Sequence, residues 1–174
     1  MTYARQTLRP NLRRLSAVIM ATLLLISANL IPNSAVAQQT DGEMPQMVQL
    51  VQSPKNFVET VNAFRTEVTR AGWSLLNENN MAGVLSARGY TIDPVIIFDV
   101  CSGRYSAKIL SHDDARPVSA FMPCRVSIYM TSQGDVFIAR MNTAVFAGMM
   151  DPMVAEVMIA SDNDISEIIA AAIR

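Results

Sequence analysis

Histidine, cysteine and lysine are all scarce in this chain. Its 174 residues hold one histidine, His112, two cysteines, Cys101 and Cys124, two lysines, Lys55 and Lys108, and one tryptophan. A structural zinc site draws four ligands from Cys, His and carboxylates, and this supply is a poor start for one. There is also no CxxC pair, no CxxCH haem attachment, no HExxH, no GxSxG and no glycine-rich phosphate loop. The spacings that mark common redox, metalloprotease, hydrolase and nucleotide sites are therefore missing. No catalytic residue, metal or cofactor is expected, and the reading leans to a non-enzymatic protein.

Acidic residues are missing from the start of the chain. The segment MTYARQTLRPNLRR carries Arg5, Arg9, Arg13 and Arg14 and no acid, and an apolar run from Leu15 to Ile31 and then PNSAVAQQ follow it. A basic, an apolar and a small-residue region in that order describe a secretory signal, with Ala35 and Ala37 placed for peptidase cleavage after Ala37. The competing reading is an uncleaved anchor, although about 17 residues is short for a membrane span. Residues 1–37 are thus expected to be a cleaved signal peptide, and the protein periplasmic or secreted. Once cleaved, it is not an integral membrane protein. No cysteine near the cleavage site offers a lipid attachment.

Export changes the charge. Four of the 14 basic residues leave with residues 1–37 and all 15 acidic ones stay, leaving ten against 15, a net of −5. Nucleic acid is excluded as a partner, because phosphate binding needs clustered Lys and Arg, and here the remaining arginines are scattered.

Residues 38–46, QQTDGEMPQ, read as a disordered lead-in, and one domain is expected over 47–174. Residues 47–52 are β-compatible, with Val48 and Leu50 on one face. Ser53 as N-cap, Pro54 at the first helical position, Phe57, Val61, Phe64 and Val68 at helical spacing, and Gly72 as a stop predict an amphipathic helix. WSLLNE, 73–78, reads as a strand; MAGVLSARGY stays open between a short helix and a loop. VIIFDVC, 95–101, is apolar almost throughout and predicts a central strand covered on both faces. SGRYSAKIL reads as helix and SHDDARP as a polar loop. CRVSIYMT, 124–131, with Val126, Ile128 and Met130 inward, and VFIARMN, 136–142, predict a hairpin across Ser-Gln-Gly-Asp. From Pro152 onward, Val154, Met158, Ile165, Ile168, Ile169 and Ala172 keep one helical face, in one long helix or in two pieces with Asp162 or Asp164 as a cap. The order β-α-β-β-α-β-β-α predicts an α+β two-layer sandwich, a curved, mainly antiparallel sheet packed against helices.

The runs GWSLLNE, PVIIFDVCSGRYSAKIL and FMPCRVSIYMTSQGDVFIARMN resemble the domain-of-unknown-function family 302 from about residue 47 to the C-terminus. MPCRVSIY, about 20 residues after the Cys101 segment, is the most specific piece. The resemblance implies a TATA-binding-protein-like arrangement and a homodimer, and no established activity. Ser102-Gly103 stands where the family commonly has Asn-Pro, and Arg125 where it usually has Asn.

Cys101 ends one predicted strand and Cys124 begins another, so they can share an edge of the sheet. Three readings stay open: a disulfide, favoured by an oxidising compartment; two separate buried thiols; or a reactive or metal-binding pair, to which the resemblance adds weight because cytoplasmic family members keep similar cysteines. Met122 beside Cys124 brings a thioether suited to Cu(I), though methionine more often fills cores. Arg104, Tyr105 and Arg125 flank the cysteines and either line a pocket with a positive rim or are spent on carboxylates such as Asp99. His112 with Asp113 and Asp114 reads equally as a solvated loop. The functional expectation is an exported domain that binds a small molecule or a protein partner, with Cys101, Cys124, Arg104, Tyr105, Arg125 and Met122 as its lining. The alternative is a thiol-redox or copper-handling protein using the same cysteines.

Overall fold

The computed structural model describes residues 47–174, so the signal peptide and the lead-in lie outside the described residues. The elements in chain order are β1 (Val48–Ser53), α1 (Phe57–Arg70), β2 (Ser74–Asn80), α2 (Met81–Ser86), β3 (Val95–Cys101) and α3 (Gly103–Leu110). A 3-10 segment (Asp113–Phe121), β4 (Cys124–Met130), β5 (Val136–Met141), a second 3-10 segment (Thr143–Met149) and α4 (Pro152–Ile173) complete the domain. The five strands form one sheet in the order β1-β5-β4-β3-β2, with every neighbouring pair antiparallel. The predicted α+β sandwich is therefore present. Among the described residues, no helix is long and apolar enough to cross a membrane.

Strand alternation decides what is buried. Phe98 and Val100 of β3, Val126 and Ile128 of β4, and Val136 and Ile138 of β5 point to one face, where Val61, Phe64 and Val68 of α1 and Ile165, Ile168, Ile169 and Ala172 of α4 cover them. Phe64 meets Phe98 with ring centroids 5.2 Å apart. A second apolar cluster joins Ile109 of α3 and Ala115 of the first 3-10 segment to Val154, Val157 and Met158. The N-terminal half of α4 thus packs on α3, and its C-terminal half on the sheet.

Several expectations change. α1 starts at Phe57, with Asn56 accepting the Glu59 N–H at 3.0 Å. Ser53 is not its cap: it ends β1 opposite Val136, and its hydroxyl is 2.7 Å from that of Thr60. The ladder with β5 outbids local capping there. Gly72, at φ +74°, follows the C-cap as expected, in a conformation that favours glycine. β3 is covered on one face only, since α1 and α4 lie on the same side and leave Ile97 half-buried. Val48 and Leu50 do share a face, and it is the exposed one. The open stretch contains the short helix α2, capped by Asn80, and the expected polar loop after α3 is 3-10 helix. α4 is one continuous helix of 22 residues capped by Asp151; neither Asp162 nor Asp164 begins a second one.

Candidate functional site

All five strands present one end to the same edge of the molecule: β1 and β4 begin there, β5 and β3 finish there, and β2 enters beside β3. The chain between the first 3-10 segment and β4, Phe121-Met122-Pro123, crosses this edge; the Met122–Pro123 peptide is cis. A groove of about 590 Å³ opens at the edge, walled by Met47, Val48, Phe121, Met122 and Met141, with Ala139 and Ser127 of neighbouring strands in its floor. Phe121 and Met141 are exposed apolar side chains, 45% and 46% accessible. The volume lies within the ordinary range for small-molecule sites, and the lining is mainly apolar with a few polar groups, as such sites are.

Behind the groove, at the seam between the two apolar clusters, lies a chamber of about 30 Å³. Trp73, Val100, Ile109, Val157 and Met158 wall it, and the polar groups facing it are Cys101, Ser102, Ser106, Cys124, Thr143 and Ser161. Groove and chamber share Phe121, Met122, Pro123, Cys124, Thr143 and Ser161. They are adjoining spaces bordered by the same six residues.

An ion pair fixes α4 to this edge. Arg140 of β5 and Asp162 of α4 are each 6% exposed. The guanidinium donates to both carboxylate oxygens, at 2.6 and 3.1 Å, and also to Ser166 Oγ and Gln49 Oε1. The Thr143 N–H and hydroxyl donate to Asp162 at 3.0 and 3.1 Å. Burial alone would push the Asp162 carboxyl up, but the donors from Arg140 and Thr143 outweigh it and hold the pKa below the ordinary value. The pair was not among the expected site residues; Asp162 was read only as a candidate helix cap. Its trace was there: Arg140 interrupts the inward face Val136-Ile138, and Asp162 sits between Met158 and Ile165 on the buried stripe of α4, two opposite charges each on an apolar face.

The six expected lining residues divide. Met122 and Cys124 border both spaces, Arg125 only the groove, and Cys101 and Tyr105 only the chamber. Arg104 borders neither: it is paired with Asp164 and lies over the Tyr105 ring, 4.6 Å from its centroid. Arg125 is bonded to its cross-strand partner Asp99 at 3.1 Å, and Tyr105 meets Trp73 edge-on at 6.2 Å. Both arginines are spent on carboxylates.

The disulfide expectation is corrected, because Cys101 and Cys124 are free thiols. In the register Val100, not Cys101, stands opposite Cys124, so the two thiols border the same chamber without being cross-strand partners. The Cys101 sulfur lies 2.9 Å from Ser106 Oγ, and that of Cys124 is 3.9 Å from Ser161 Oγ. Burial pushes the Cys124 thiol pKa up, which suppresses the nucleophilic thiolate. Exposed His112 contacts Ser111 Oγ and the Lys108 carbonyl and borders neither space. Among the described residues no three His, Cys, Asp or Glu side chains gather as a metal would require.

Fold and site together define a single-sheet α+β domain with an apolar groove at the strand ends. The chain belongs to the family described as domain of unknown function DUF302, whose model matches residues 49–172. It is similar to the solved structure of an uncharacterized conserved DUF302 protein from Bacillus stearothermophilus. The two share 20% identity with a TM-score of 0.66, over 73% of this chain and 98% of that one. At that identity the likeness speaks for the fold alone. No curated protein matches the chain significantly.

Proposed function

We propose that this is an exported, non-enzymatic domain that binds a small, largely apolar molecule in the groove at the strand ends. The export rests on the basic, apolar and small-residue order of residues 1–37. The groove carries the binding reading: about 590 Å³ of space walled by Met47, Val48, Phe121, Met122 and Met141. Three methionines give the walls an adaptable surface suited to ligands of varied shape. Arg125 stands at the rim with its charge balanced by Asp99, so the site selects for apolar surface more than for charge.

Residues 47–174 close their own core, and the solved relative matches over 98% of its length; the domain is therefore tested alone. The probe is 1-anilinonaphthalene-8-sulfonate, a fluorophore whose two aromatic groups seek apolar surface while its one sulfonate stays in water. Saturable fluorescence enhancement by the native domain is expected, with near-UV circular dichroism unchanged, so that a loosened core is not the source. Ala139→Phe, which fills the floor, should abolish it. Enhancement that persists in Ala139→Phe, or that is absent from the native domain, contradicts the reading.

A further inference from the structure

The chamber behind the groove has its own chemistry. Its lining includes no Asp, Glu, Lys, Arg or His. The charges that touch its lining are already paired: Asp162 with Arg140, Thr143 completing that carboxylate, and Asp164 with Arg104, the Trp73 indole N–H also reaching Asp164 at 3.4 Å. A carboxylate or ammonium entering the chamber would be desolvated with nothing to balance it, a steep penalty. A volume of about 30 Å³ matches one water-sized group. Only the smallest polar end of a molecule fits.

One polar side chain in the wall is left under-used. Ser161, 8% exposed, borders both spaces. Among the described residues its hydroxyl contacts only the Cys124 sulfur, at 3.9 Å. A buried helical serine can turn its hydroxyl back onto the carbonyl one turn before it; this one makes no such bond and, beyond its long contact with Cys124, has hydrogen-bonding capacity left for the space it borders. Ser106 and Ser102 face the same space.

We propose that the chamber takes the single uncharged oxygen of an otherwise apolar ligand, a hydroxyl or carbonyl end group, whose hydrocarbon body lies in the groove. Ser161 is the positioning donor or acceptor for that oxygen. The ligand class is a neutral amphiphile with one small head, such as a fatty alcohol or ketone. This rests on the groove reading above and adds to it the identity of the head group.

Trp73 makes the two spaces separable. It is the one tryptophan of the chain, it is 5% exposed, and it borders the chamber but not the groove. The experiment titrates residues 47–174 with 1-octanol and with octanoate, reading displacement of the anilinonaphthalene probe for the groove and Trp73 emission for the chamber. Octanol is expected to displace the probe and shift Trp73 emission, and octanoate to displace the probe with Trp73 unmoved. Octanoate leaves water less readily in any case, so the decisive comparison is Ser161→Ala, a change that favours helix and keeps the fold. It should weaken octanol about tenfold relative to the probe, the loss expected for one hydrogen bond to a buried oxygen. If octanol displaces the probe with Trp73 silent, or binds Ser161→Ala as well as the native domain, the chamber assignment is wrong and the groove reading stands. If the probe itself fails to bind, the groove reading falls and takes this one with it.

Discussion

Arg140 and Asp162 meet through two hydrogen bonds, at 2.6 and 3.1 Å, in a place where each is 6% exposed. The contact joins β5 to the middle of α4 beside Thr143 and Ser161, which border both groove and chamber. A buried pair of this kind adds little net stability over apolar residues of equal volume, yet removing one partner strands the other.

Asp162→Ala should therefore lower the unfolding free energy by about 3–5 kcal/mol, the cost of leaving a buried guanidinium unpaired. The double change Arg140→Met with Asp162→Leu should recover most of that loss. Urea titration of the native domain, Asp162→Ala and the double variant checks both. A single-variant loss below about 1 kcal/mol would place the pair in solvent.

The same carboxylate sets an acid limb. Its folded-state pKa is depressed, so its contribution is fully present above the unfolded carboxylate value of about 3.9 and is lost as pH falls through the lower folded value. Stability should decline with acidification below about pH 4, and this part of the slope should vanish in Asp162→Asn. Proton uptake on unfolding, taken from the pH dependence of the urea midpoint, reads it directly. An unchanged slope in Asp162→Asn would assign the acid limb to other groups.

Both thiols are expected free, with Cys124 slow to react. Iodoacetamide added to urea-unfolded, never-reduced protein should modify both cysteines. In the native domain at pH 8, Cys124 should react at least about tenfold more slowly than a free thiol, because burial disfavours its thiolate. Its raised pKa also means that its contribution to stability is full below the unfolded thiol value of about 8.5 and is lost as pH climbs through the higher folded value. Peptide mass spectrometry after timed quenching reports both rates. A cross-linked Cys101–Cys124 peptide would overturn the register seen between β3 and β4.

Much of the fold was legible because its cause is local. Alternation of Val126, Ile128 and Met130 announced β4, the turn ending at Gly134, φ +90°, announced the hairpin, and the stripe from Val154 to Ala172 announced α4. What failed depended on partners distant in the chain. Ser53 has the chemistry of a cap, but strand pairing with Val136 claimed it. VIIFDVC is apolar enough for burial on both faces, yet nothing in those seven residues says that both long helices pack on one side. The cysteines were rightly placed at one edge of the sheet, while their pairing turned on a single residue of register. Of the site, the corner Met122-Pro123-Cys124 was visible beforehand. Phe121, Met141, Ala139 and Ser161 were not, since they look like ordinary core or helix residues until the strand ends are brought together.

The groove is tested most directly by the methyl spectrum of the methionines. With ¹³C-methyl methionine in residues 47–174, addition of the anilinonaphthalene probe should shift Met122 and Met141, which wall the groove, through the ring currents of the bound aromatic. Met81 and Met153, which border neither space, should stay in place. Shifts at Met81 or Met153 with Met122 and Met141 unmoved would contradict the account.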